Sequence, residues 1–480
     1  MRADLIGDVS ASRLREHFSG KILYTLRSGR SGGMFAGPDL ERQKRILAAS
    51  EAYDLVELES DSDLSPSLLT SIPARKRMLF WKAANCELTS LLSTFDSLAA
   101  VPACFYCISI PALKTSDGLC SLRLLKALAR KDVAVISEGP FGLWSRLVAP
   151  QFGSSLLFGS LANHGGREDE LTINQLIEDY GFSQVTPVQQ LYGMVGNRIF
   201  QSLSPRLHNT GYQLLRHPAL FVPFHTNSFE DFWQEMIQSS AMDSLGIPVQ
   251  GLTIASPYKE VALAMAGTHS AMVRRAAASN VFVRRVGIWE AHTTDPDSVT
   301  CLNGKLANHP QGIKAAVIGC GGAGRAVAAS LQQAGVHVTL VNRGKERGDY
   351  AVKLLGLPFV SLAEFQPDDF TLLVNATPIG RDDEALPFLL DRVNKSAVVV
   401  DLTYGKKRTA LVSGMLGRGG TVVDGYQVLL TQVRKQFQMM VGLEMPPNVS
   451  PGVAMSDRPV RFLSSHAQWM AEQEAHECNP

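Results

Sequence analysis

Strand-sized apolar runs recur through the first third of the chain, at 21–27, 53–58, 77–80, 104–110, 133–136 and 155–158. Longer stretches with helical spacing of their apolar residues separate them. Runs too short for a helix, alternating with helix-like segments, predict a parallel α/β unit with helices laid over a sheet. The polar stretch Ala162-Asn-His-Gly-Gly-Arg-Glu-Asp-Glu170 closes this unit. One helix and a connector, Phe182 to Gln190, lead to a second part running from about Leu191 to about Asn448, and a polar tail follows to Pro480. No internal repeat or low-complexity tract interrupts the pattern.

Composition narrows the reading without redirecting it. The 480 residues are 45% hydrophobic and 19% charged, enough for about two to four domains with ordinary cores. A net charge of +1 gives no electrostatic ground for a nucleic-acid partner or an anionic membrane surface. The N-terminus lacks an apolar signal core and no apolar run reaches membrane-spanning length, so a cytoplasmic, soluble enzyme is expected. Seven cysteines form an odd set without paired metal-ligand spacing. Cys104 and Cys107 do make a C-x-x-C, but inside an apolar run where cysteine acts as a small hydrophobe; no metal site is expected.

Two segments carry chemistry. In Ala315-Ala-Val-Ile-Gly-Cys-Gly-Gly-Ala-Gly-Arg-Ala326 a strand runs through Gly319-x-Gly321-x-x-Gly324 directly into a helix, the context a dinucleotide site requires. The backbone from Gly319 to Gly324, Gly322 and Ala323 included, is expected to hold the pyrophosphate. The next strand, Val336 to Val341, ends at Asn342 and Arg343, with Arg347 one turn later. Guanidiniums there, in place of an acidic residue, favour a 2′-phosphate and hence NADP over NAD. In Gln201-Ser-Leu-Ser-Pro205, Ser204 followed by Pro205 reads as an N-cap and first helical residue, whose free N–H groups suit a carboxylate. Taken alone, such a segment is more often a capped helix with no ligand.

The second part resembles shikimate dehydrogenase in order and spacing. Ser202 and Ser204 fall at that family's carboxylate-binding serines, and Gly251-Leu-Thr-Ile-Ala-Ser-Pro-Tyr-Lys259 resembles its substrate strand. Ala278-Ser-Asn280, Thr293-Thr-Asp295, Val374-Asn-Ala-Thr-Pro378, Asp401-Leu-Thr-Tyr404 and Gly425 through Gln432 match further segments. The resemblance implies Lys259 and Asp295 as the catalytic pair and Ser202, Ser204, Thr253, Asn280, Tyr404 and Gln432 as substrate contacts. It adds Asn375, Thr377 and Gly425 to the cofactor contacts. The implied layout is a substrate-binding domain at 191–297, completed by a helix at 425–442, a Rossmann NADP domain at 298–424 and a tail at 449–480. Lys259 can supply the proton that a developing alkoxide needs while hydride arrives on the ring, and Asp295 would keep the ammonium oriented. An exposed ion pair is the plainer meaning of the same two residues. Ala255 stands where the family has threonine, Thr253 where serine or asparagine is usual, Thr293 for asparagine and Pro296 for glycine. A lost hydrogen bond to a charged group costs about 1.5–3 kcal/mol, so weaker shikimate binding or a shift toward quinate or an aminated analogue is expected.

Residues 1–181 resemble type I 3-dehydroquinate dehydratase, through Tyr24-Thr-Leu-Arg27, Gly32-Gly33, Asp54-Leu-Val-Glu57, Thr115-Ser-Asp117, Ser145-Arg146 and Phe152-Gly-Ser154. That family is a (β/α)8 barrel using a Schiff-base lysine and a histidine. In register, Cys107 takes the lysine position and Lys82 the histidine position, Ser31 replaces a glutamate, and Gly165 and Asp169 replace serine and glutamine. Arg27 and Arg146 remain as anion contacts. Arg2-Ala-Asp4 resembles the tail of the family's second strand, so two barrel strands are missing and the open edges need cover. The expectation is an incomplete (β/α)8-type barrel, degenerate in chemistry, ahead of a two-domain α/β oxidoreductase. A bifunctional lyase–oxidoreductase and a ligand sensor without turnover are the alternatives. The expected partner is a shikimate-like cyclic hydroxy acid, with a homodimer allowed.

Overall fold

The computed structural model describes residues 1–161, 170–182, 186–302, 312–405 and 407–450. Gly165, Asp169 and the tail beyond residue 450 lie outside the described residues. Three sheets organise the chain. The first contains β1 (Leu23–Tyr24), β2 (Leu55–Glu59), β3 (Arg77–Lys82), β4 (Phe105–Pro111) and β5 (Val133–Glu138), all parallel and in sequence order. Helices such as Asp39–Ala52, Leu88–Ala99 and Gly118–Leu128 connect the strands, as parallel pairing demands. Among the described residues the sheet has five strands, fewer than the eight of a closed (β/α)8 barrel. Arg2 pairs in parallel with Thr25 at its outer edge as a single bridge, and Ala3–Ile6 is helical rather than extended.

One expected strand does not form. Ser155–Phe158 has no ladder; Ser155 N–H donates once to the Val133 carbonyl, while Leu156 and Leu157 pack against apolar clusters. Its apolar residues are accounted for by packing rather than by pairing. The first run also shortens, from the expected 21–27 to two residues of ladder.

The second sheet contains β6 (Gln190–Gly196), β7 (Ala219–His225), β8 (Val249–Ile254), β9 (Thr268–His269), β10 (Val281–Arg285) and β11 (Ile288–His292), in the order β7-β6-β8-β10-β11-β9. β10 runs antiparallel to both neighbours. The third sheet, β12 (Lys314–Ile318), β13 (His337–Asn342), β14 (Phe359–Ser361), β15 (Leu372–Asn375), β16 (Val398–Asp401) and β17 (Thr421–Val423), is fully parallel in the order β14-β13-β12-β15-β16-β17. This is the doubly wound arrangement whose order reverses beside β12, where a crevice opens at the strand C-termini.

The first two sheets pack together through a shared helix and core. Helix Leu143–Val148 packs on both β5 and β7, and one continuous apolar core spans the first two sheets. Trp144, fully buried, donates its indole N–H to the Thr115 carbonyl at 2.8 Å and rests against Phe224 at 5.5 Å. Thr115 Oγ1 donates to the His225 carbonyl at 2.6 Å, and Lys114 pairs with Glu235 at 2.5 Å. Among the described residues no helix is long and apolar enough to cross a membrane.

The core of the second sheet holds a buried imidazole. His208 is fully buried, stacked on Phe221 at 4.2 Å, and burial pushes its imidazole down to about 3. Below the ordinary value of 6.5 the unfolded chain takes a proton that the folded chain refuses until about pH 3, so stability falls as pH falls through that window. His208→Leu keeps the apolar contacts and removes the proton uptake. Urea unfolding at about pH 7.5 and about pH 4.5 is expected to show the variant losing about 2–3 kcal/mol less stability than the natural chain across that step.

Candidate active site between the second and third sheets

The topology of the second sheet gathers its polar residues at one edge. β6 and β8 point their C-termini there, and antiparallel β10 begins there while β11 ends there. Ser202 and Ser204 therefore follow β6, Lys259 follows β8, Asn280 precedes β10 and Asp295 follows β11. Lys259 Nζ donates to both Asp295 carboxylate oxygens, at 2.9 and 2.8 Å. The lysine side chain is 17% exposed and the aspartate 3%. This is a desolvated pair with one open side, unlike a surface ion pair.

Asp295 is held from three more directions. Asn280 Nδ2 donates to its Oδ1 at 3.1 Å and Gln432 Nε2 to the same oxygen at 3.3 Å, while its own N–H reaches Thr293 Oγ1 at 3.3 Å. Asn280 is itself fixed, its Oδ1 accepting from Thr294 N–H at 2.8 Å. Behind them lies Gln436, which residue-type reasoning did not single out. It accepts from Thr253 Oγ1 at 3.0 Å and donates to Thr294 Oγ1 at 3.1 Å, fully inside the core. The signal was its position one turn beyond Gln432 on the same helix face. Thr253 thus commits its hydroxyl to Gln436.

At the other end of the cleft Ser202 Oγ donates to Ser204 Oγ at 3.2 Å and lies 3.4 Å from the Tyr404 hydroxyl. The helix start differs from the expected one. Ser204 is the first helical residue, not the cap; Leu203 precedes it in helical geometry, and Ser202 Oγ accepts from Ser204 N–H at 3.2 Å. Ser202 Oγ thereby satisfies the first orphan N–H of the helix. The two hydroxyls stay adjacent. Ala255 sits nearby without a hydroxyl, its methyl packed toward Gly196.

The third sheet brings its loops to the same cleft. Gly319 holds φ of +107°, and a Cβ on Gly324 would lie 1.8 Å from the Gly319 carbonyl oxygen, so both positions demand glycine. Helix Gly322–Gln333 starts with open space around Gly321. Asn342 turns inward, its Oδ1 accepting from Cys320 N–H at 3.2 Å and its Nδ2 donating to the Gly344 carbonyl. Arg343 and Arg347 are exposed beside it. Asn375 organises its own loop. Its amide donates to Asp401 Oδ1 at 3.0 Å and its oxygen accepts from Thr377 Oγ1 at 2.6 Å. Burial raises the Asp401 carboxyl above its ordinary value, against the hydrogen bonds from Thr409, Thr403 and Asn375. Gly425 opens the helix Gly425–Val441, which carries Gln432 and Gln436 across to the second sheet.

In the first sheet the expected residues meet differently. Cys107 is fully buried beside Met78 and Phe80, and burial pushes its thiol up to about 12. Arg27 stacks over Phe80 at 3.8 Å and is held bidentately by Glu57 at 2.6 and 2.8 Å. Lys82 lies 3.5 Å from Glu138, which also accepts from Ser109 Oγ at 2.5 Å. Ser31 is buried, and Arg146 reaches the Gly139 carbonyl at 3.4 Å. Among the described residues no cluster of histidine, cysteine and carboxylate side chains could hold a metal.

A doubly wound sheet facing a mixed sheet across a polar cleft defines a dinucleotide-binding α/β protein with a separate substrate-binding domain. Family models match the type I 3-dehydroquinase at residues 2–187, the shikimate dehydrogenase substrate binding domain at 194–282 and ketopantoate reductase PanE/ApbA at 315–425. The shikimate dehydrogenase (NADP(+)) of Halobacterium salinarum is 31% identical over 53% of this chain and 95% of its own length. The chloroplastic bifunctional 3-dehydroquinate dehydratase/shikimate dehydrogenase of Arabidopsis thaliana is 26% identical over 88% of this chain and 73% of its own. A crystal structure of shikimate 5-dehydrogenase from Thermus thermophilus, 28% identical, aligns over 55% of this chain and 97% of that one with a TM-score of 0.49. The chain belongs to the shikimate dehydrogenase family, with a type I 3-dehydroquinase domain preceding the dehydrogenase part.

Proposed function

We propose that the chain is an NADP-dependent oxidoreductase interconverting 3-dehydroshikimate, or a close cyclic hydroxy acid, with shikimate, and that its dehydratase half no longer catalyses. The observation that carries the reading is the Lys259–Asp295 pair at the edge of a cleft whose other wall is a glycine loop. The proposed division is a dehydratase-like domain at 1–181, a substrate domain at 191–297 completed by the helix from Gly425, a dinucleotide domain at 298–424, and a tail at 449–480. A cytoplasmic location and a homodimer belong to the same reading.

The residues present fit the cofactor. The Gly319–Gly324 turn leaves a backbone cradle at a helix start, and Arg343 and Arg347 are exposed where a 2′-phosphate would lie. NADP, when bound, supplies or accepts the hydride. In reduction Lys259 Nζ would give its proton to the developing alkoxide, and in oxidation it would take the proton from the alcohol. Asp295, held by Asn280 and Gln432, would keep Nζ aimed at that oxygen. Ser202 and Ser204, with Tyr404 beside them, would bind the carboxylate at the far end. With Ala255 contributing no hydroxyl, that end has fewer donors than the family pattern.

Steady-state oxidation of shikimate and of quinate, each with NADP and with NAD, tests the reading. Shikimate with NADP is expected to give the highest kcat/KM, and turnover of neither acid would overturn it. Replacing both Arg343 and Arg347 with alanine is expected to reduce the preference for NADP over NAD by about 10- to 100-fold, the loss of one or two charge-assisted contacts. An unchanged preference would place the phosphate elsewhere.

A further inference from the structure

The first turn of the dinucleotide helix buries a charge for which the reaction chemistry gives no direct use. Arg325 follows the glycine motif and is 1% exposed. Its Nε donates to the Ala276 carbonyl at 2.8 Å and its Nη2 to the Ala277 carbonyl at 3.2 Å. Its Nη1 donates to the Cys320 carbonyl at 2.9 Å and to Glu260 Oε1 at 3.0 Å. A guanidinium removed from water requires such satisfaction, and here the acceptors come from three separate places. Cys320 belongs to the glycine loop, Glu260 is the neighbour of Lys259, and Ala276–Ala277 forms the turn that leads to Asn280. Ala277 holds φ of +48°, a conformation that residues with a side chain seldom adopt unsupported.

The same helix start leaves no slack on its other side. A Cβ on Gly322 would lie 2.6 Å from Ala278 Cβ and 3.5 Å from Lys259 Cβ. Further along, Arg275 donates to Gln332, tying helix Ala271–Ala276 to the dinucleotide helix again.

We propose that Arg325 is a positioning residue, which fixes the spacing between the glycine loop and the two segments carrying Lys259 and Asn280. This rests on the oxidoreductase reading. In that reading hydride and proton must reach one carbon–oxygen bond from two different sheets, and a misplacement of about 1 Å costs about 100-fold in rate. A planar fork with several donors can bind all four acceptors at once, whereas a lysine ammonium offers a point charge and three donors. The chain thus has a fixed joint at the base of its acid–base pair, and Arg325 acts through Lys259 without touching substrate.

The test uses full-length Arg325→Gln, Arg325→Lys and Glu260→Gln, followed by hydrogen–deuterium exchange and by kinetics with C4-deuterated cofactor. For Arg325→Gln, exchange is expected to rise selectively at 256–262, 276–281 and 320–324, with β8 and β12 unchanged. Its kcat is expected to fall about 10- to 100-fold, with both KM values within about threefold and a larger primary isotope effect on kcat. Arg325→Lys should recover part of kcat, and Glu260→Gln should loosen 256–262 alone. Exchange that rises evenly across the protein, or an Arg325→Gln variant with unchanged kcat, isotope effect and exchange, would overturn the proposal. Should the natural chain turn over no acid at all, the oxidoreductase reading falls, and the exchange pattern alone decides whether Arg325 is the joint.

Discussion

Replacing Lys259 with methionine is expected to lower kcat for shikimate oxidation by about three orders of magnitude and to leave the KM for NADP within about threefold. A positioned proton acceptor contributes about 10²–10⁴ in rate, and Lys259 is the group on the open face of Asp295 that can take the proton. Asn280 and Gln432, the other side chains on that carboxylate, carry amides that neither give nor accept a proton near neutral pH. Methionine keeps the length and the apolar stem, and the buried Asp295 carboxylate, its cation gone, retains the amide donors of Asn280 and Gln432. Initial rates at saturating NADP, with cofactor binding measured separately by fluorescence titration, check the result. A variant that keeps a tenth or more of the natural rate would reduce the pair to structure.

Incubation of the chain with 3-dehydroquinate and borohydride is expected to add no mass, because the proposed register puts a cysteine, not an amine, where the dehydratase family forms its imine. In the register that the resemblance implies Cys107 takes that position; it is wholly buried, its thiol pushed up to about 12 and so neutral near pH 7. Lys82 is the candidate substitute. It lies on the neighbouring strand, 3.5 Å from Glu138, and in the proposed register it stands at the position of the proton-shuttling histidine itself. Intact-mass analysis followed by peptide mapping reads the outcome. A stable adduct on Lys82 would show that the imine had moved one strand over, and the bifunctional reading would return.

The parts of this molecule that were legible in the sequence are those fixed by short-range chemistry. The strand–glycine–helix run at Gly319 could be read because each glycine answers a local demand, a positive φ at Gly319 and a close approach at Gly324. The Lys259–Asp295 contact was reached only through resemblance, since 36 residues separate the partners. The amide network behind it was not reached. Thr253 meets Gln436 across 183 residues, and nothing local to either residue announces the other. The placement of Ser204 failed by one residue, because Leu203 already holds helical geometry and nothing in its residue type signals that. Ser155–Phe158 failed because a short apolar run serves a core as well by packing as by pairing. Arg325 stayed unread for a related reason. A basic residue at the start of a helix reads as exposed until the carbonyls of another domain are known to surround it.

Whether the chain has one working half and one silent half is tested most directly by two assays on a single preparation of the full protein. NADP-linked oxidation of shikimate and dehydration of 3-dehydroquinate are followed side by side. Reduction of NADP with shikimate is expected, with no dehydration above the uncatalysed rate. Dehydration at enzymatic rates, or shikimate left untouched while NADP binds, would contradict it.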